Sequence, residues 1–161
     1  MSNAPQKSDS RSATPSSASD GSNARFPTVS LSDPKKTLEF AIEAARMADD
    51  DKCEEVMLLD VRLVSQLCDY IVLCSGTSDR QMHTVAEDID KMAAKSGYPV
   101  FRRNSDDRTT WIVVDCVDVV VHIFEPNARA HYDLEMLWAD APRVEWARPG
   151  KVNRDRAGLN S

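Results

Sequence analysis

The stretch Asp69-Tyr70-Ile71-Val72-Leu73-Cys74-Ser75-Gly76-Thr77-Ser78-Asp79-Arg80-Gln81 constrains the fold of this chain more than any other. Asp69 to Cys74 is apolar enough to be a strand buried on both faces. It stops at a tight Ser75-Gly76 turn. Ser78 then stands three residues before Gln81, the spacing of a capping box, and Met82, Val85, Ala86, Ile89, Met92 and Ala93 continue with a helical period. A strand, a tight turn and a helix start can together hold a phosphate on backbone amides. The junction is therefore either a nucleotide site or a structural corner.

Around it the pattern predicts one domain. Ser32-Asp33-Pro34 places a capping side chain before a proline at the first helical position, and Leu38, Ala41, Ile42 and Ala45 repeat at helical spacing as its buried stripe. Asp49, Asp50 and Asp51 close that helix against its own dipole, which predicts fraying near residue 50. Glu55 to Val61 reads as a strand, Leu63 to Cys68 as a short helical turn, and Gly97 with Pro99 as the end of the Ser78 helix. Pro99 to Arg103, Thr109 to Cys116 and Asp118 to Phe124 read as further strands, the last two joined as a hairpin. A final helix is expected from about Ala128 to Trp138, with Ala130, Leu134, Leu137 and Trp138 inward and Arg129 and Tyr132 on the polar side. This order predicts an α/β domain, a single mixed sheet of about five strands flanked by helices.

Residues 1 to 30 hold nine serines and three prolines with few large apolar groups, so they read as a disordered tail; residues 147 to 161 read as a flexible C-terminal tail. The domain is thus expected over residues 31 to 146. No apolar run approaches the roughly 18 residues of a membrane span, and no secretory signal is visible, so a cytoplasmic protein is expected. Cys53, Cys68, Cys74 and Cys116 form no Cys-x-x-Cys pair, and His83, His122 and His131 add no zinc spacing. The formal net charge is −6; residues 1 to 30 carry three basic and two acidic groups, leaving 17 basic against 24 acidic elsewhere. An acidic domain disfavours direct nucleic-acid contact and favours a basic protein partner, with no membrane role.

Signals for catalysis are weak. Ser75-Gly76-Thr77-Ser78 lacks the lysine of a P-loop and the three glycines of a dinucleotide fingerprint. A nucleotidyltransferase would need carboxylates projecting together from the next strand to hold magnesium, whereas Glu87, Asp88 and Asp90 fall on the helix. Asp115, Asp118 and His122 are the strand-borne polar cluster, and the two aspartates flank a hairpin turn where such residues serve turn geometry. No catalytic residue, metal or cofactor is assigned. Trp111 has two possible settings: in the core if it shares the inward face with Val113, or outside as an interface anchor if Ile112, Val114 and Cys116 face inward.

Four ordered blocks resemble the ribosomal silencing factor, or Iojap-like, family: Asp69 to Val72 with Ser75 to Ser78, Arg80 and Gln81; Trp111 to Asp115; Asp118 to Phe124; and Tyr132 to Pro142. The resemblance covers about residues 35 to 146. It implies a topology akin to nucleotidyltransferases without their metal site. It also implies a non-enzymatic factor that docks on the fourteenth large-subunit ribosomal protein, blocks small-subunit joining and lowers translation; a homodimer is possible when the protein is free. Two departures stand out. The family usually has glycine before the second aspartate of its Asp-x-Gly-Asp turn, where this chain has Val117, and a glycine before the tryptophan strand, where it has Asp107-Arg108-Thr109-Thr110. Partner contact is expected from Trp111, Cys116, His122, Arg129 and Tyr132, and Ser75 to Ser78 is expected to serve the fold. The alternatives are a nucleotide-binding enzyme using Ser75 to Arg80 with Asp115 and Asp118, and a large-subunit assembly factor.

Overall fold

The Ser78 signal is realised in the computed structural model, which describes residues 33–98, 100, 102–105 and 107–151. Ser78 caps helix α2 (Asp79–Lys95) by accepting from the Gln81 amide, and Met82, Val85, Ala86, Ile89 and Ala93 are its buried face. The box is displaced by one residue, since the Gln81 side chain accepts from the amide and hydroxyl of Thr77 and not from the Ser78 amide. Gly76 is required by packing: a Cβ there would lie 2.3 Å from Cγ of Met82.

Asp33 caps helix α1 (Pro34–Asp50), with proline opening the helix. Its core face is Thr37, Phe40, Ala41, Ala44, Ala45 and Ala48. That stripe is rotated from the expected one, with Leu38 and Ile42 half-buried at its flank. Alanines let α1 approach the sheet closely, and Phe40 anchors it by stacking on Tyr98 at 4.6 Å. The helix ends at Asp50, where the run of aspartates predicts its boundary, but its end is not left with the repulsion alone. Arg148 pairs with Asp50 through bonds of 2.7 and 2.8 Å, and Lys151 with Asp49 at 2.7 Å, so cations from the C-terminal segment replace the repulsion by the dipole. The Arg148 guanidinium holds the Asp50 carboxyl below its usual range. Residues 1–32, Pro99, Phe101 and 152–161, on which the tail readings and part of a strand reading fall, lie outside the described residues.

The strands are β1 (Glu54–Asp60), β2 (Tyr70–Ser75), β3 (Arg102–Ser105), β4 (Trp111–Asp115) and β5 (Val119–Phe124), in spatial order β1-β2-β5-β4-β3. Only the β2 to β5 pairing is parallel, because α2 carries the chain to β3 and two antiparallel returns bring β5 back beside β2. The short helical turn expected at Leu63 to Cys68 is a single turn that starts earlier, with the Val64 and Ser65 amides bonded to the Val61 carbonyl at 3.0 and 2.8 Å. The free edge of β1 is covered by residues 142–144: Leu59 bridges Arg143, and Val144 donates to Leu58 at 2.9 Å.

One sheet face, including Leu58, Val72, Val121, Val114, Ile112 and Ile123, is sealed by α1 and α2. The opposite face carries Met57, Leu59, Ile71, Leu73 and Phe124, covered in part by Ala128, Leu134, Trp138 and Ala141. The expected single C-terminal helix is broken here. α3 (Pro126–Tyr132) ends at Asp133, which turns left-handed with φ 45° and ψ 56°, before the four-residue α4 (Leu134–Leu137). The break rotates the expected faces: Arg129 is buried, while Leu137 is 67% exposed and Ala130 is exposed.

At the β4 to β5 hairpin Val117 adopts φ 71°. The Asp118 amide bonds back to the Cys116 carbonyl at 3.0 Å and Asp115 accepts from the Val117 amide at 2.8 Å, so the turn is held by its neighbours against the preference of a β-branched residue. Val117→Gly is expected to raise folding stability by about 1 kcal/mol, after the added freedom of the unfolded chain offsets part of the relief. Chemical denaturation reads this out; an unchanged or lower midpoint would show that the turn stores no strain.

Candidate functional site

Register lays out the half-covered face as rows. Leu59, Ile71, Val120, Asp115 and Arg102 are successive neighbours across the sheet, followed by the row Met57, Leu73, His122, Val113 and Asn104. In both rows the β1 and β2 members are buried, whereas Val120, His122, Val113 and Asp115 are half-buried and Arg102 and Asn104 exposed or nearly so. α3 packs on β5 and lays Tyr132 over Trp111 and Phe124, so α3 and α4 roof the face as far as β5 and the Trp111 end of β4; the bare half is the part beyond, with half-buried Val113 and Asp115 and exposed Arg102 and Asn104.

Trp111 stands at the border of this bare half. Its neighbours Ile112 and Val114 are fully buried on the other face, which fixes the parity: the tryptophan lies outside the α1-α2 core. It stacks on Phe124 at 5.0 Å and meets Tyr132 in a tilted pair at 4.8 Å, and its indole N–H donates to Nδ1 of His122 at 3.1 Å. The acceptor role makes His122 neutral with its proton on Nε2. Burial lowers its pKa from 6.5 to about 4. Tyr132, 51% exposed, closes the aromatic ladder from α3. Buried Phe124 and half-buried His122 hold Trp111, so Trp111, itself half-buried, and exposed Tyr132 present aromatic surface with little side-chain entropy left to lose on binding.

Two expected contact residues do not reach this surface. Cys116 is 2% exposed, and burial with nearby Asp115 and Asp90 pushes its thiol to about 12, so it is an inert core side chain. Arg129 is also buried: Nε donates to Glu135 at 2.7 Å and Nη1 to the Glu55 carbonyl at 2.8 Å and the Ser75 hydroxyl at 3.0 Å. Glu55 offers that carbonyl from a bulge in β1 where its own φ is 49°. Arg129 ties α3, α4, β1 and β2 together, and so sets Tyr132, one turn later, against Trp111. Sequence reasoning missed Val113, Val120 and Phe124; Val113 was legible, since it shares the parity of Trp111.

In the Ser75 to Ser78 corner the Gly76 amide and both donors of Thr77 are already committed. The Gly76 amide bonds the Phe124 carbonyl at 2.7 Å, the Thr77 amide and hydroxyl bond Gln81, and Met82 donates to the Ser78 carbonyl at 3.0 Å. Asp79 adds negative charge in the first turn, and Ser75 is 3% exposed beneath Arg129. This geometry serves the corner and opposes a phosphate. Asp115 faces its own turn, and His122 is held by Trp111; among the described residues no group of three or more His, Cys, Asp or Glu side chains is arranged to hold a metal ion.

A family profile described as "Ribosomal silencing factor during starvation" matches residues 34–160. The chain belongs to the ribosomal silencing factor family. A relative in Bacillus subtilis named "Ribosomal silencing factor RsfS" is 39% identical over 63% of this chain and 86% of its own length. A crystal structure from Bacillus halodurans superposes with a TM-score of 0.57 at 34% identity, covering 69% of this chain and 98% of that one. A Mus musculus relative, 29% identical over 55% of this chain and 40% of its own length, is named "Mitochondrial assembly of ribosomal large subunit protein 1". The silencing factor fold is therefore the mixed five-stranded sheet described above, and no described helix is long and apolar enough to cross a membrane.

Proposed function

We propose that this silencing factor is a non-enzymatic translational repressor in the cytoplasm that docks on a basic protein of the large ribosomal subunit, the fourteenth, and blocks small-subunit joining by its bulk. The observation that carries the reading is the partly open sheet face beyond Trp111, where half-buried Trp111, Val113 and Val120 stand beside the exposed Tyr132 on a chain of net charge −6. Trp111 is the anchor, Tyr132 and His122 shape its setting, and Val113 and Val120 widen the contact. In the free protein a second copy can cover the same face, which makes dimer and subunit-bound forms alternatives.

Sedimentation with purified large and small subunits tests this. Wild type is expected to travel with the large subunit and reduce joined ribosomes, and Trp111→Ala to weaken binding by about 2 kcal/mol, roughly thirtyfold. Wild type that fails to co-migrate, or a Trp111→Ala variant that silences as well as wild type, would refute docking through this face. The name of the mouse relative supports a second reading, an assembly factor. It predicts enrichment on immature large subunits over mature ones in the same gradients.

A further inference from the structure

The loop between β1 and β2, residues 61–69, is ordered at its base and apolar at its tip. The Val61 amide bonds the Asp69 carbonyl at 2.9 Å, the Leu67 amide donates to the Ser65 hydroxyl at 3.1 Å, and the Asp69 amide donates to the Asp118 carbonyl at 2.8 Å. Arg62 is locked against Asp60 by bonds of 2.9 and 2.7 Å and lies over the Tyr70 ring at 5.4 Å. From this tied backbone Leu63 and Leu67 project almost fully into water, 95% and 88% exposed, with Val64 at 45%. Single exposed leucines are ordinary, but three large apolar side chains on one braced turn form a patch.

The surroundings of the patch define what fits it. Alternation along the strands puts Val61, Asp69 and Asp118 one step beyond the row Leu59, Ile71 and Val120, on the same side as the bare half-sheet. Asp115 lies next to Val120 in that row. Burial, with repulsion from Asp118, raises the Asp69 carboxyl above its usual range despite Arg62. The loop thus carries an apolar tip on a base that lies on the side of the proposed docking face, with the half-buried Asp69 and Asp118 at that base. RNA would be repelled there, while a basic protein surface with an apolar recess matches it.

We propose that the 61–69 loop is a second docking element for the same basic large-subunit protein, Leu63 and Leu67 entering an apolar recess while Asp69 and Asp118 meet its lysines and arginines. This rests on the reading that the bare half-sheet docks on that protein. The test titrates labelled full-length protein with purified large subunits across a salt series, comparing wild type, Trp111→Ala, the double variant Leu63→Ser with Leu67→Ser, and Asp69→Asn. The double variant is expected to keep the wild-type melting temperature and lose at least about tenfold in affinity. Asp69→Asn is expected to weaken binding with a shallower salt dependence. If Trp111→Ala weakens binding but the double variant matches wild type, the loop proposal falls and the half-sheet reading stands. If wild type itself fails to bind large subunits, both fall.

Discussion

Arg129→Ala is expected to cost about 3 to 5 kcal/mol of folding stability. The guanidinium is 2% exposed and meets the Glu135 carboxylate, the Glu55 carbonyl and the Ser75 hydroxyl. Truncation strands a carboxylate whose side chain is itself 16% exposed, together with a carbonyl in a strained bulge. Against a total stability of about 5 to 15 kcal/mol for a domain of this size, that loss is large. A double-mutant cycle separates the ion pair from packing. Arg129→Met with Glu135→Leu should recover much of the loss, because removing both charges leaves neither one buried alone. Arg129→Lys should fall between, since an ammonium cannot reproduce the fork. If the single alanine variant costs less than about 1 kcal/mol, the cluster does not hold α3 and α4 to the sheet.

Acidification is expected to weaken the fold through His122. Its folded pKa of about 4 lies below the ordinary 6.5 because burial disfavours the imidazolium. Protonation would also cost the Nδ1 acceptor its bond from Trp111. Between these values the unfolded chain binds the proton and the folded chain does not, so stability is full above pH 6.5 and declines as pH falls toward 4. Each tenfold loss of proton affinity on folding is worth about 1.4 kcal/mol, so the decline totals about 3 to 4 kcal/mol. Asp51 and Asp69, whose carboxyls are raised by burial and neighbouring carboxylates, act in the opposite direction just above 3.8. Comparison of wild type with His122→Phe isolates the histidine: melting temperature against pH should be flatter for the variant across the 6.5 to 4 window. Parallel curves would mean that His122 does not titrate as its enclosure requires. The same protonation would disturb the aromatic ladder, so binding to large subunits should weaken over that window for wild type alone.

Local chemistry was legible in the chain. The capping residues Asp33 and Ser78, the hairpin between Trp111 and Phe124 and the apolar periodicity of α2 place the elements within a residue or two. These features depend on contacts within a few positions, which sequence spacing encodes directly. The four ordered blocks likewise carried the family. The turn at Val117 shows where local preference is overruled, since a β-branched residue there adopts a positive φ within a hairpin held by Asp115 and Cys116.

Tertiary structure decided which side chains reach the surface. Helical spacing assigns Arg129 to solvent and Leu137 to the core, but the left-handed Asp133 starts a new helix axis and reverses both. Cys116, expected among the partner contacts, is sealed in the core, while Asp49 and Asp50 are neutralised by cations about a hundred residues away. Sequence alone determined the elements up to β5, the apolar strand faces and the family, because those follow from near-neighbour stereochemistry and pattern. Only the folded chain decided that half of one sheet face stays unroofed beside Trp111, because where a helix breaks and what it covers depends on partners distant in sequence.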